Sequence, residues 1–279
     1  MHANDESAVR CSAWVGEQRT TAERESQIAP WSGRSGRSPR ILIACEYSGT
    51  VRDAFAARGW DAWSCDLLPT ETPGNHVQGD VLKILGDGWD VMIAHPPCTH
   101  LCVSGARHFA KKRADGRQQA GIELFMAFAH APIRKICIEN PVGIMSRVWR
   151  EPDQIIQPYY FGDEAQKTTC LWLKNLPPLQ HAAEDDWFAT KTHVGRGEMH
   201  RFASGKVMPE WYFKAWKDPD GGGKSRSKTF PGIAQAMALQ WGGGGAEHGD
   251  GNGESKNGAC SPTADFRQPE TKEKTNAND

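Results

Sequence analysis

The chain contains no run approaching the ~20 consecutive apolar residues that a membrane-spanning helix requires, and no apolar core of a signal peptide near its start. Those absences lead to the expectation of a cytoplasmic protein with no membrane partner. Net charge is nearly absent as well: 33 Lys and Arg against 34 Asp and Glu leave -1 at neutral pH. A globally basic binder of polyanions is thereby excluded, so any such partner must be met by a local patch. A paired cysteine framework is missing, because the eight cysteines are scattered at positions 11, 45, 65, 98, 102, 137, 170 and 260. Several lie inside apolar runs, which suits a reducing compartment. There is no internal repeat. With 38% apolar residues in 279, the chain can bury one substantial core, and one domain with tails is expected.

Residues 1–39 are polar and end in Ser32-Gly33-Arg34-Ser35-Gly36-Arg37-Ser38-Pro39, while residues 242–279 open with four glycines and carry an acidic excess. Neither segment can bury enough apolar surface to offset its chain entropy, and both are expected to be disordered tails. Between them the pattern alternates. Ile41-Leu42-Ile43-Ala44-Cys45 reads as a buried strand, residues 51–58 as a helix closed by Gly59, and residues 61–65 as a strand ending at Asp66. After a turn-rich stretch, residues 81–85 read as a short helix. Val91-Met92-Ile93-Ala94 is a buried strand that Pro96-Pro97 stops at His95. Residues 118–130 are helical, with Ile122, Phe125, Met126 and Ala129 on one face, and Ile136-Cys137-Ile138 is a strand running into Glu139-Asn140-Pro141. Such alternation implies an α/β fold with crossover helices and a parallel sheet. Residues 155–161 and 169–173 read as a strand pair. Residues 174–228 are irregular, with basic residues interleaved among Trp187, Phe188, Phe202, Trp211, Tyr212, Phe213 and Trp216. Residues 232–241 form a last helix, with Pro231 near its first turn.

Cys98 sits on a stiff loop, His95-Pro96-Pro97-Cys98-Thr99, at the carboxyl end of a strand. Open α/β sheets hold ligands at that edge, so the thiol is a candidate nucleophile. A core thiol and a metal ligand are the competing readings. The spacing of His95, Cys98, His100 and Cys102 suits zinc only if the first ligand can fold back, which Pro96-Pro97 restricts, and no metal is expected. Glu46-Tyr47-Ser48-Gly49 follows the first strand and opens the first helix, a turn that can present backbone N–H groups to a ligand. Asp66 stands where an acid takes a ribose hydroxyl pair, and Asp80 is either a further carboxylate there or a helix cap. Glu139, at a strand end beside the thiol loop, is a carboxyl that burial can keep protonated near neutral pH, able to donate to a heterocycle. Its plainer reading is a cap or an ion pair. Arg107, Lys111, Lys112, Arg113 and Arg117 against Asp115 form a local basic excess. That excess is either a solvated face or a loop that closes over phosphates and favours the Cys98 thiolate.

In this order the pieces resemble the DNA cytosine-5 methyltransferases from about residue 40 to 241. Glu46-Tyr47-Ser48-Gly49 is similar to the family's first cofactor motif, Asp66 to its ribose-binding acid, and Gly79-Asp80-Val81 to the segment whose Asp meets the adenine amino group. Pro96-Pro97-Cys98 resembles the nucleophile loop, Glu139-Asn140-Pro141 the family's Glu-Asn-Val, and Thr229-Phe230-Pro231-Gly232 the last motif, which completes the cofactor pocket. Where the family carries Gln-x-Arg-x-Arg, this chain has Gln166-Lys167-Thr168-Thr169-Cys170, which leaves Lys167 to supply the positive charge.

The resemblance implies a Rossmann-like class I methyltransferase fold, with a catalytic and cofactor-binding domain at 40–173, a small target-recognition region at 174–228 and a completing helix at 229–241. It implies S-adenosyl-L-methionine as cofactor, held by Glu46, Tyr47, Ser48, Gly49, Asp66, Asp80, Pro96 and Thr229. DNA is the implied partner of a monomeric enzyme, met by Arg107, Lys111, Lys112, Arg113 and Lys167. Cys98 then adds to carbon 6 of an extruded cytosine while Glu139 donates to ring nitrogen 3. So compact a chain resembles the versions carried by bacteriophages and mobile elements, which work in a bacterial or infected host cell. Two alternatives stay open: a related pyrimidine-modifying transferase that uses a modified methyl donor, and a catalytically idle DNA-binding homologue.

Overall fold

Ile41, Leu42, Ile43 and Ala44 are all fully buried, and their side chains alternate between two faces, as a strand covered on both sides requires. They form β1 (Arg40–Ala44), followed by α1 (Thr50–Ala56), β2 (Asp61–Asp66) and β3 (His76–Gln78). A 3-10 turn at Val81–Lys83 leads to β4 (Val91–Ala94), and further 3-10 turns at Cys98–His100 and Val103–His108 lead to α2 (Phe109–Ala114) and α3 (Arg117–Ala129). Next come β5 (Lys135–Pro141), α4 (Met145–Val148), β6 (Gln154–Ile156), a 3-10 turn at Pro158–Phe161 and β7 (Thr169–Lys174). The rest is β8 (Met199–Arg201), β9 (Val207–Pro209), α5 (Glu210–Trp216), α6 (Gly223–Ser227) and α7 (Pro231–Trp241). This computed structural model describes residues 37–181, 192–219 and 222–243. The expected tails, over 1–36 and 244–279, and Trp187 and Phe188 lie outside the described residues. No helix among the described residues is long and apolar enough to cross a membrane.

Seven strands make one sheet in the order β3-β2-β1-β4-β5-β7-β6. β3, β2, β1, β4 and β5 run parallel, whereas β7 pairs antiparallel with β5 and β6 antiparallel with β7. The expected parallel sheet is present in these five strands, and the strand pair after them joins it antiparallel. A parallel return from β5 needs a crossover element, and between β5 and β7 the chain offers only the four-residue α4, a short strand and turns. The expected strand at 155–161 ends at Ile156, because Pro158 begins a 3-10 turn. β3 lies within the stretch expected to be turns, and the helix expected at 81–85 is a 3-10 turn capped by Asp80.

Odd and even positions of the strands feed two core layers. Ile41, Ile43, Val91 and Ile93 pack with Val51 and Phe55 of α1 and with Ile233, Met237 and Trp241 of α7. Leu42, Met92, Ile136 and Ile138 pack on the other face with Phe125 and Phe128 of α3 and with Trp172. The folded body also extends past the expected boundaries. Pro39 O accepts from Asp61 N at 3.0 Å, and Gly242 O accepts from Trp60 Nε1 at 2.8 Å. In the lobe after β7, β8 and β9 form an antiparallel pair, and the His200 ring stacks on Phe213 at 3.4 Å. Most of the described aromatic set is thus the lobe's own packing, while Trp216 stays 54% exposed.

Arg52 is the largest fully buried side chain among the described residues, at 1% exposure. Its guanidinium donates to Asp53 Oδ1 at 2.8 Å, to Ser64 Oγ and Thr70 Oγ1 at 3.2 Å, and to the carbonyls of Thr72 and Pro73 at 3.1 Å. One buried cation thus pins the β2–β3 loop to α1. Arg52→Ala is expected to cost about 3 kcal/mol or more in urea unfolding, because the carbonyls and Asp53 lose a buried partner. A loss below about 1 kcal/mol would show that the loop re-pairs without it.

Candidate active site

The chain leaves β1 outward to β2 and β3 and then crosses back to β4 on the opposite side, so β1 and β4 flank the switch point of the sheet. Open α/β sheets leave a crevice there, outside the carboxyl ends of the strands. An open cleft lies there, about 300 Å³ when the solvent at its mouth is counted, walled on one side by Cys45, Glu46, Tyr47, Ser48 and His95. Ser227, Lys228 and Thr229 wall the other side, so two of the sequence motifs farthest apart in the chain meet. Tyr47 Oη donates to Lys224 O at 2.8 Å, and Lys228 Nζ pairs with Glu71 at 2.6 Å. Both bonds tie the two walls together.

Glu46 is buried, and its oxygens accept from Val51 N at 2.7 Å and Arg52 N at 3.2 Å, which places a carboxylate on the first turn of α1. Burial raises its pKa above the usual range, opposed by His95 and those N–H groups. Gly49 lies outside the cavity lining. It caps α1 at φ +78°, where a Cβ would fall 2.1 Å from Thr72 Oγ1. Asp66 and Asp80 are brought together beside the cavity, since Gly79 N bonds Asp66 O at 2.8 Å. Each carboxylate accepts from a backbone N–H nearby, Leu68 for Asp66 and Leu82 for Asp80. Burial, then Asp66, Cys65 and Asp80, push the Cys45 thiol up to about 12.

The second half of the site lies one strand over. In register, Ala94 of β4 pairs with Ile138 of β5, so the next residues, His95 and Glu139, stand side by side. His95 Nδ1 meets Glu139 Oε2 at 3.1 Å, with the two side chains 7% and 10% exposed. Glu139 belongs to the strand rather than following it, because β7 continues to pair where β4 has ended. Burial alone would raise its pKa, but the His95 hydrogen bond, Lys167 and the His95 charge outweigh it and hold the carboxyl below the usual range. The expectation of a protonated Glu139 is thus corrected: at rest it is a carboxylate. Burial, Cys102 and Glu139 push the Cys98 thiol up, and Lys167 opposes them.

Of the two expected sources of positive charge, Lys167 rather than the basic segment at 107–117 acts on Cys98. Lys112 is buried and donates Nζ to Thr99 O, bracing the loop that carries Cys98 rather than standing exposed as expected, while Arg107, Lys111 and Arg113 are exposed. The cation that acts on Cys98 is Lys167, whose Nζ is held by Arg226 O at 3.1 Å and Lys228 O at 3.4 Å. The loop is fixed from several directions. Asn140 Nδ2 donates to Pro96 O at 2.7 Å, Gln118 Nε2 to His100 O at 3.2 Å, and Ile144 N to Leu101 O at 2.9 Å. Pro96 is thus buried and held through its carbonyl, outside the cavity lining. Among the described residues no group of three or more His, Cys, Asp and Glu is placed to hold a metal ion.

Sequence reasoning weighed His95 only as a metal ligand, named Asn140 only within its motif, and missed Ser227 and Lys228. The one signal for His95 was its place directly before Pro96-Pro97, where β4 must end.

A thiol raised by burial reacts slowly at neutral pH, since only the thiolate is nucleophilic. The rate of Cys98 alkylation by iodoacetamide is therefore expected to rise with pH through a midpoint above the ordinary thiol value of about 8.5. Lys167→Met is expected to move that midpoint higher, because it removes the opposing cation. Peptide mass spectrometry of Cys98 against pH reads both, and an unchanged or lower midpoint in K167M would refute the assignment. No protein-family model matches this chain, and a search of curated proteins finds no match to it.

Proposed function

We propose that this chain transfers a methyl group from S-adenosylmethionine to carbon 5 of cytosine in DNA, on a class I methyltransferase fold. The observation that carries the reading is a convergence: a thiol, a buried carboxylate and a cation from three separate stretches, Cys98, Glu139 and Lys167, beside a cavity walled by residues 45–48 and 227–229. The residues present fit the cofactor, since the cavity at the sheet's switch point is lined by an acidic side chain, Glu46, and by the hydroxyl residues Tyr47, Ser48, Ser227 and Thr229.

The resting charges dictate the order of proton movement. Cys98 starts as a thiol and Glu139 as a carboxylate. As Sγ bonds to carbon 6 of the extruded pyrimidine, the S–H bond breaks and its proton passes through Glu139 to ring nitrogen 3. Carbon 5 thereby gains the electron density of an enamine. S-adenosylmethionine, when bound, supplies the methyl group as a sulfonium whose sulfur departs with the bonding pair. Loss of the carbon-5 proton to solvent then breaks the Sγ–C6 bond, and the proton on nitrogen 3 returns through Glu139 to the Cys98 sulfur. Lys167 favours thiolate character in Cys98 and keeps Glu139 ready to accept. Exposed Arg107, Lys111, Arg113 and Arg117 offer a basic surface to the phosphates.

Incubation with labelled S-adenosylmethionine and cytosine-containing DNA is expected to label the DNA. Cys98→Ala is expected to abolish the label, and Glu139→Gln to lower the rate about 100-fold or more. DNA containing 5-fluorocytosine is expected to trap a covalent adduct at Cys98, since fluorine cannot leave as a proton does. Label transfer by C98A, or no transfer by the wild type to any DNA, would overturn the reading.

A further inference from the structure

The stretch Gly223-Lys224-Ser225-Arg226-Ser227-Lys228-Thr229 contains no apolar side chain, and α6 within it buries none of its residues. No hydrophobic contact therefore presses this segment onto the sheet. Polar contacts hold it instead. Towards the cleft, Tyr47 Oη donates to Lys224 O at 2.8 Å and lies 3.2 Å from Ser227 Oγ, while Lys228 Nζ pairs with Glu71 at 2.6 Å. A second set goes to Lys167, whose Nζ donates to Arg226 O at 3.1 Å and Lys228 O at 3.4 Å. A third joins the segment to the lobe, where Arg226 donates to Tyr212 of α5 and Ser225 to Asp218.

A segment held to the body by polar contacts alone opens at low cost, because each contact trades against water and contributes little net. The Lys228–Glu71 pair is of that kind, with side chains 38% and 41% exposed. Lys167 is bound to the same segment. Among the described residues the acceptors of its Nζ are main-chain carbonyls of that stretch, so the ammonium keeps its place only while the stretch does. Lys167 is also the cation that opposes the rise of the Cys98 thiol and helps to hold Glu139 ionised. Ser227, Lys228 and Thr229 meanwhile wall the cleft. One backbone stretch thus touches the cleft and the charge that acts on the thiol.

We propose that residues 224–228 form a strap that closes over an occupied cleft and, through the carbonyls of Arg226 and Lys228, sets Lys167 in the position from which it acts on Cys98 and Glu139. The inference rests on the reading of this cleft as the donor site. A ligand that touches Ser227, Lys228 or Thr229 binds the closed strap better than the open one, and shifts the balance between them by that difference. Lys167 is then a positioning residue, and the strap makes the thiol answer to the cleft. Cys98 gains thiolate character when the donor is in place, and loses it when the cleft empties.

The pH midpoint of Cys98 alkylation, read by peptide mass spectrometry on the full chain, tests the link without any turnover, with S-adenosylhomocysteine as the probe. Saturation by the probe, verified by calorimetry, is expected to lower the wild-type midpoint by about 0.5, which is about threefold more thiolate at a fixed pH below it. A ligand that merely shields the thiol slows alkylation at every pH and leaves the midpoint where it was. In Lys167→Met the probe is expected to leave the midpoint unmoved. Glu71→Gln breaks the Lys228 pair from outside the cleft lining. It is expected to raise the midpoint of the probe-free protein by about 0.5 and to speed acetylation of Lys167 by acetic anhydride about threefold, with the probe reversing both. A wild-type midpoint that the bound probe does not move, a shift that survives in K167M, or an E71Q protein with wild-type midpoint or wild-type Lys167 acetylation would overturn the proposal. A wild type that binds no S-adenosylhomocysteine would instead overturn the donor-site reading, and the E71Q comparison then decides the link between strap and Lys167 by itself.

Discussion

A carboxylate sealed between strands governs the carboxyl edge of this sheet. Glu139 lies inside β5 with neighbours on both sides, where water cannot solvate it, and an isolated charge in such a place costs several kcal/mol. Its retention as a carboxylate requires donors and cations from elsewhere. His95 supplies the first from the end of β4, and Lys167 the second from the approach to β7. Lys167 is itself held by the carbonyls of Arg226 and Lys228, and Lys228 walls the cavity. One buried charge thus links three stretches that the chain keeps far apart.

The same economy of position applies to Cys98. Two prolines remove backbone freedom before it, and side chains from β5, α2 and α3 grip the carbonyls around it: Asn140 on Pro96, Lys112 on Thr99, Gln118 on His100. Gly143 permits the closest of these approaches, since a Cβ there would fall 2.5 Å from Leu101 O. A thiol held this way has little conformational freedom left to lose, and a rigid loop of that kind is what a positioned reactive group requires. The burial that fixes it also raises the thiol, so geometry and ionisation pull in opposite directions, and Lys167 is the one cation identified as opposing the rise.

Much of the fold was legible because it is written in local pattern. Buried runs marked β1, β4 and the first half of β5, and 3.6-residue spacing marked α1, α3 and α7. β3 was not legible, since three residues are too few to show a period. Nor was the direction of β7, which depends on what connects it. Cys98 and Glu139 could be named from their strand-end positions, but their charge states could not. Lys112 looked like one of a row of exposed cations, yet its helix turns it inward, and Lys167 stands 69 positions after the thiol it acts on. Electrostatics is decided across the sheet, between residues that the linear order separates.

The cavity makes that point most strongly, because neither of its walls is a site alone. Thr229 comes within reach of Tyr47 only because α7 packs along α1, with Met237 and Trp241 in the same core as Phe55. The start of α7 is then set to close tolerance. Asp163 Oδ2 accepts from Gly232 N at 2.8 Å, and the backbone passes so near Phe161 that a Cβ on Gly232 would fall 1.9 Å from its carbonyl oxygen. Pro231 in the first helical turn costs no hydrogen bond there, since that N–H has no intrahelical partner. None of α7 lines the cavity, yet its apolar face decides where residues 227–229 stand. The cavity is therefore a property of the whole core, formed where the last helix packs against the first.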